Sequence, residues 1–163
     1  MLTYVETLAP NKADSLHRWI KQLYDEDLES SFDFLVRKSL RKLKLRQVEL
    51  AIDCKRDLYW GKKSIHVIAG ENDHGTNKAF EWVVLTITKP HPMPLMALPL
   101  FSSAERAEKT MELIKYAISL PIKVKRVTLD RGFYSSRLIA FMQERKFPFL
   151  MLVPATKPLV RYA

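Results

Sequence analysis

The stretch Val124-Lys-Arg-Val-Thr-Leu-Asp-Arg-Gly-Phe-Tyr-Ser-Ser-Arg-Leu-Ile-Ala-Phe-Met-Gln-Glu-Arg-Lys-Phe-Pro-Phe-Leu-Met-Leu-Val153 decides the fold. It opens on a short strand, Val124 to Leu129, and breaks at Asp130-Arg-Gly132. It resumes as a helix through Leu138, Ile139 and Met142 behind a Ser135 or Ser136 cap, then closes on a near-continuous apolar strand from Phe147 to Val153. Strand, helix and strand in succession make a β-α-β unit, which needs a parallel pair of strands with covered faces.

Upstream of this unit, Ser102-x-x-Glu105 is a capping box. The helix it starts carries Ala104, Ala107, Met111, Ile114 and Ile118 on one face and stops at Pro121. Further back, Val48, Leu50, Ile52 and Cys54 alternate with Glu49, Ala51, Asp53 and Lys55, the period of a strand. Ser64 to Ala69, Ala79 to Thr88 and Pro94 to Phe101 are further strand candidates, with Gly61, Gly70, Gly75 and the Asn72-to-Gly75 segment supplying turns. Consecutive strands of this kind form an antiparallel meander. Before Val48 the pattern is helical. Leu16, Trp19, Ile20, Leu23, Tyr24 and Leu28 recur at three and four behind Asn11 or Asp14, and a second helix from near Ser31 carries Phe32, Leu35, Leu40 and Leu43. The expected organisation is a helical basic appendage over residues 1–47 and a mixed α/β domain over 48–163.

Composition narrows the function classes. The 163 residues carry 27 Lys and Arg against 18 Asp and Glu, a formal charge of +9, and 47% are hydrophobic. That excludes a disordered chain and a collagen-like repeat. The single Cys54 excludes an internal disulfide or a thiolate-rich metal site and suits a reducing compartment. The apolar run from Pro92 to Phe101 holds three prolines and falls short of the ~20 residues of a membrane span. The first residues lack the basic-then-apolar order of a signal peptide. A cytoplasmic protein with no membrane partner is the expectation. Basic residues cluster: six lie between Arg37 and Arg46 with no acid, and nine lie between Pro121 and Ala163 against Asp130 and Glu144. A polyanion is a natural partner for such a surface, and a solvated basic face is the plainer alternative.

Two carboxylates stand out. Asp53 lies on the strand face opposite Leu50 and Ile52, and Asp130 follows the apolar strand Val124 to Leu129, at the strand end where open α/β sheets place ligands. If the two strands are neighbours, both side chains enter one cleft and offer hard oxygens to a divalent metal. The plainer reading makes Asp130-Arg-Gly a tight turn with the side chain bonded to its own backbone, and Asp53 a paired or edge-strand carboxylate.

Ala51-Ile-Asp-Cys-Lys-Arg-Asp-Leu-Tyr-Trp-Gly61 and Val127-Thr-Leu-Asp-Arg-Gly-Phe-Tyr-Ser135 resemble the catalytic domain of insertion-sequence DDE transposases. The resemblance runs from about Val48 to Pro154. It implies an RNase-H-like fold: three antiparallel strands, then alternating helices and parallel strands, here behind a helical N-terminal appendage. It implies two-metal phosphoryl transfer on DNA, with Asp53 and Asp130 as catalytic and metal-binding residues for Mg²⁺ or Mn²⁺. Arg37, Lys38, Arg41, Lys42, Lys44 and Arg46, with Lys123, Lys125, Arg126, Arg131, Arg137, Arg145 and Lys146, then become DNA phosphate contacts. The family's third acid, a Glu on a helix after the last strand, has no counterpart, since no acid follows Glu144. The expectation is therefore a truncated transposase that lacks the last helix, binds metal weakly and cleaves little or no DNA alone.

Two other readings stand beside it. Asp53-Cys-Lys55 matches the Asp-x-Lys of a metal-dependent nuclease, which would need a further acid on a paired upstream strand. A non-catalytic nucleic-acid-binding or assembly module would leave both Asp residues structural and open a homo-oligomer through an uncovered sheet face beyond Phe147 to Val153. The four histidines, His17, His66, His74 and His91, have no ligand spacing.

Overall fold

A computed structural model describes residues Asp25 to Val153. The chain divides into two compact units between Ser39 and Leu40. Helix α1 spans Asp25–Lys42. Four strands follow, β1 (Gln47–Leu58), β2 (Ile68–Asp73), β3 (Thr76–Lys89) and β4 (Met93–Leu100). A 3-10 turn (Ser103–Glu105) then leads into α2 (Arg106–Ser119), β5 (Lys123–Leu129), a second 3-10 turn (Arg131–Phe133), α3 (Ser136–Glu144) and β6 (Phe149–Met151).

The expected helix on Leu16, Trp19, Ile20, Leu23 and Tyr24 lies outside the described residues. The expected fresh start near Ser31 is corrected, because Asp25–Lys42 is one helix. A serine caps only where the backbone before it leaves helical angles, and here Asp33 and Arg37 pair across one turn at 2.8 Å. Phe32, Leu35 and Leu43, expected to face inward, are 42%, 56% and 44% exposed. The helix ends in a Schellman arrangement: Leu45 N–H donates to the Leu40 carbonyl, Lys44 N–H donates to that of Arg41, and Lys44 takes φ +53°.

The second unit is built on a mixed six-stranded sheet of order β2-β3-β1-β5-β6, with β4 also on β3. β1 pairs antiparallel with β3 from Glu49↔Lys89 to Leu58↔Ala79 and parallel with β5 from Gln47↔Lys123 to Ile52↔Leu129. β2 and β4 share the other edge of β3, β2 beside its first residues and β4 from Glu81↔Leu100 to Ile87↔Met93. Pro94 and Pro99, which cannot donate to a ladder, are tolerated because β4 is an edge strand. β5 and β6 are parallel, as the β-α-β reading requires.

The alternation of β1 holds. Val48, Leu50 and Ile52 are buried, while Asp53 on the other face is exposed. Leu85 and Ile87 of β3, Leu113 and Ile114 of α2, Leu129 of β5 and Leu138 and Met142 of α3 complete a fully buried core. Each such side chain contributes roughly 1.5–3 kcal/mol. Three expectations shift. β2 runs through Asp73 rather than ending at Ala69, because the loop is only His74-Gly75, with both residues at positive φ (47° and 83°) in the manner of a type I′ hairpin. The buried face of α2 is Thr110, Met111, Leu113, Ile114 and Ala117, leaving Ile118 exposed. Thr110 can sit inside because its hydroxyl donates to the Arg106 carbonyl at 2.7 Å, a polar device that hydrophobic spacing does not register. Finally, β6 is only Phe149–Met151, because Phe147 N–H returns to the Met142 carbonyl and closes α3.

Candidate functional site

The parallel register of β1 and β5 ends at Ile52↔Leu129, and the next residues in the chain are Asp53, still within β1, and Asp130, just past the end of β5. Sequence reasoning expected these carboxylates to meet if their strands were neighbours, and the strands are neighbours. Both residues are exposed. Asp53 Oδ1 accepts the Cys54 N–H at 2.8 Å. Asp130 caps the 3-10 turn Arg131–Phe133, and its Oδ1 accepts the Gly132 N–H at 2.8 Å. The tight-turn reading of Asp130-Arg-Gly therefore describes the local backbone. It commits one oxygen and leaves Oδ2.

The donor chemistry suits a hard, hydrated cation. Mg²⁺ and Mn²⁺ take carboxylate oxygens, and Mg²⁺ in phosphoryl-transfer sites is held by one or two carboxylates with waters and substrate phosphate. No group of three or more His, Cys, Asp or Glu side chains converges among the described residues. An ion here would rest on Asp53 and Asp130 alone.

A second cluster adjoins this one, and sequence reasoning missed it. Arg56 and Glu81 are cross-strand partners on β1 and β3, and Arg56 Nε lies 3.0 Å from Glu81 Oε1. Arg106, the first residue of α2, brings Nη2 to 3.8 Å from Glu81 Oε2 and donates from Nη1 to the Gly132 carbonyl at 3.2 Å. The Glu81 side chain is only 10% exposed. Burial pushes the half-buried Cys54 thiol above its ordinary pKa; Arg106 pulls the other way, and Glu81, Asp53 and Asp130 add to the rise. One clue was available: Arg56 and Glu81 break apolar alternation at positions of inward parity. Their partnership needed the register, which joins residues 25 positions apart in sequence.

The basic residues are less uniform than their count suggests. Arg37 pairs with Asp33, Lys38 lies 5.9 Å from the Phe34 ring, and Arg41 is also engaged. Around Lys125 the β1–β5 register slips, so two residues of β5 face one of β1. Lys125 and Arg126 both reach Glu49, at 3.4 and 3.0 Å. The hydrogen bond from Arg126, outweighing desolvation, holds the Glu49 carboxyl below its usual range, with charge from Arg126 and Lys89 and a bond from Lys125 adding to it. Lys42, Lys44, Arg46, Arg131 and Arg137 are exposed. The chain just before β1 is helix and turn, so Asp53-Cys-Lys55 has no upstream paired strand there.

No helix among the described residues is long and apolar enough to cross a membrane. No family model matches the chain, and no curated protein matches it. Among solved structures, it is similar to the piggyBac transposase in a cryo-EM structure of its synaptic complex with hairpin DNA. The TM-score is 0.51 at 12% identity, over 97% of this chain and 36% of that one. The chain thus spans about a third of the length of the transposase it matches, and what the two share is a fold.

Proposed function

We propose that this chain is a transposase-related, RNase-H-like domain that binds DNA and holds Mg²⁺ or Mn²⁺ on Asp53 and Asp130. The observation that carries the reading is the register Ile52↔Leu129, after which Asp53, midway along β1, and Asp130, just past the carboxyl end of β5, follow on two adjacent parallel strands. A mixed sheet in which β3 runs antiparallel to β1, β2 and β4, followed by the parallel strands β5 and β6, is compatible with it, and the motif Asp130-Arg-Gly-Phe-Tyr-Ser135 supports it. The solved neighbour, a transposase in a synaptic complex with hairpin DNA, points the same way.

A bound divalent ion would lower the pKa of a water or hydroxyl and neutralise charge on a phosphate. The chain's own residues do the rest. Asp53 and Asp130 present carboxylate oxygens fixed by backbone hydrogen bonds, so little side-chain freedom is lost on binding. Arg131, exposed next to Asp130, is placed to meet a phosphate oxygen. Two carboxylates give a weak site, with a dissociation constant on the order of 10⁻⁴ to 10⁻³ M, the weak end for hard cations. Strand cleavage by the chain alone is accordingly expected to be slight or absent.

A crystal soaked in Mn²⁺ tests this directly. Anomalous density between Asp53 and Asp130, lost in Asp53→Asn and in Asp130→Asn, is the expected result. An empty map at millimolar Mn²⁺ would favour the second reading, a non-catalytic nucleic-acid-binding or assembly module. That reading has its own observation, since each carboxylate is already explained by the backbone N–H it accepts. Robust Mg²⁺-dependent nicking abolished by Asp53→Asn would overturn the expectation of slight activity.

A further inference from the structure

We infer that Arg106 is a positioning residue for Asp130, braced by Glu81 and Arg56 and acting through Gly132. The inference rests on the metal-binding reading of Asp130, and the geometry comes from a different part of the fold. Arg106 is the first residue of α2, where the helix dipole disfavours a cation. Helix formation therefore does not explain it. Its guanidinium instead bridges two elements distant in sequence. One arm faces Glu81 of β3, and the other donates to the Gly132 carbonyl in the turn after β5. Its guanidinium carbon also lies 5.9 Å from the centre of the Phe133 ring, beside the same turn.

The planar fork of an arginine fixes the relative placement of whatever its two arms hold. Here the far arm makes an ion-pair contact, 3.8 Å from Oε2 of Glu81 and without a hydrogen bond, while Glu81 is nine-tenths covered and its other oxygen lies 3.0 Å from Arg56 Nε. Moving Arg106 away would leave the covered Glu81 carboxylate with Arg56 as its one remaining cation among the described residues, which costs stability. The near arm ends on Gly132, whose own N–H donates to Asp130 Oδ1. Gly132 is the joint. A Cβ there would lie 3.1 Å from Asp130 Oδ1 and 3.5 Å from Arg106 Nη1, so both side chains lie against the same residue, one at its N–H and the other at its carbonyl. Fixing the Gly132 carbonyl thereby fixes the N–H that aims Asp130. Asp53 has no such brace, since its Oδ1 bonds only the next residue's amide. The asymmetry gives the test its internal control.

The experiment uses the ¹⁵N-labelled full chain as wild type, Arg106→Gln and Arg106→Lys, following amide exchange and then paramagnetic broadening by Mn²⁺. In Arg106→Gln the Gly132 amide should exchange about fivefold faster, the change expected for loss of one hydrogen bond's worth of protection, with the Cys54 amide unchanged. Mn²⁺ affinity should fall by a similar factor, with broadening retained at Cys54 and weakened at Gly132. Arg106→Lys keeps the charge for Glu81 but not the fork; it should move both readouts the same way by less, and it keeps the test open if Arg106→Gln does not fold. A general loss of stability would speed Cys54 and Gly132 alike, and that outcome overturns positioning. Unchanged Gly132 exchange and unchanged Mn²⁺ affinity overturn it as well. No Mn²⁺ broadening in the wild type overturns the metal reading itself, a failure distinct from that of the brace.

Discussion

Cys54 sits among four charges, Arg106, Glu81, Asp53 and Asp130, and reports on all of them through its own ionisation. Burial is the largest influence and raises its pKa, so the folded protein disfavours the thiolate more than the unfolded chain does. The stability this represents is intact below the unfolded value, about 8.5, and is lost as pH rises through the raised folded value. Wild type should therefore lose stability more steeply than Cys54→Ala as pH rises above about 8.5 when urea melts are compared along that rise. Parallel pH profiles would mean that the thiol is freely ionisable in the fold. At this scale Asp53 and Asp130 were legible in the sequence, because strand parity and strand ends mark them without any partner. Arg56, Glu81 and Arg106 were not, because each makes sense only beside the other two, and a buried ion pair is a fact of register and helix placement.

The order of elements was legible because periods of two and of three to four are written in the apolar residues themselves. Their ends were not. Two helices stop in the same way, and in neither does a glycine announce it. After α3, Phe147 N–H donates to the Met142 carbonyl and Lys146 N–H to that of Gln143, with Lys146 at φ +51°. After α1, Lys44 takes the same left-handed place at φ +53°. Such a residue is normally glycine, since a Cβ there meets the following carbonyl at a cost of about 1–2 kcal/mol. The flanking apolar residues, Phe147 with Met142 and Leu45 with Leu40, are buried and keep the motif in place. Lys44→Gly and Lys146→Gly should each stabilise the fold by about 0.5–1 kcal/mol, less than the strain because glycine also gains entropy in the unfolded chain. Chemical denaturation measures this, and a loss of stability in both variants would show that the lysine side chains contribute more than their backbone strain removes. The rotated face of α2 has the same lesson. Ile118 had the right spacing, yet Thr110, with its hydroxyl satisfied inside its own helix, takes the buried place.

For the whole molecule, a charge of +9 states how many cations exist, and the fold determines how many can meet a polyanion. Of the thirteen basic residues expected to contact DNA, Arg37, Arg41, Lys125, Arg126 and Arg145 are engaged within the described residues, leaving eight. The bulge at Lys125 matters most here, because it lets Glu49 draw two adjacent cations that plain alternation would have pointed to opposite faces. The Glu49 carboxyl is held below its usual range chiefly by the Arg126 hydrogen bond, so these pairs are present at neutral pH, where DNA binding is measured. Each phosphate neutralised adds about 0.9 to the slope of log K against log salt, so wild-type binding to duplex DNA should show a slope no steeper than about −7. Glu49→Gln releases Lys125 and Arg126 and should steepen that slope by about 1 to 2, with tighter binding at low salt. Arg131→Gln should do the reverse, by about 1. A flat salt dependence would return all thirteen residues to the role of a solvated basic face. A normal slope that Glu49→Gln leaves unchanged would place the DNA on a surface that Lys125 and Arg126 do not reach.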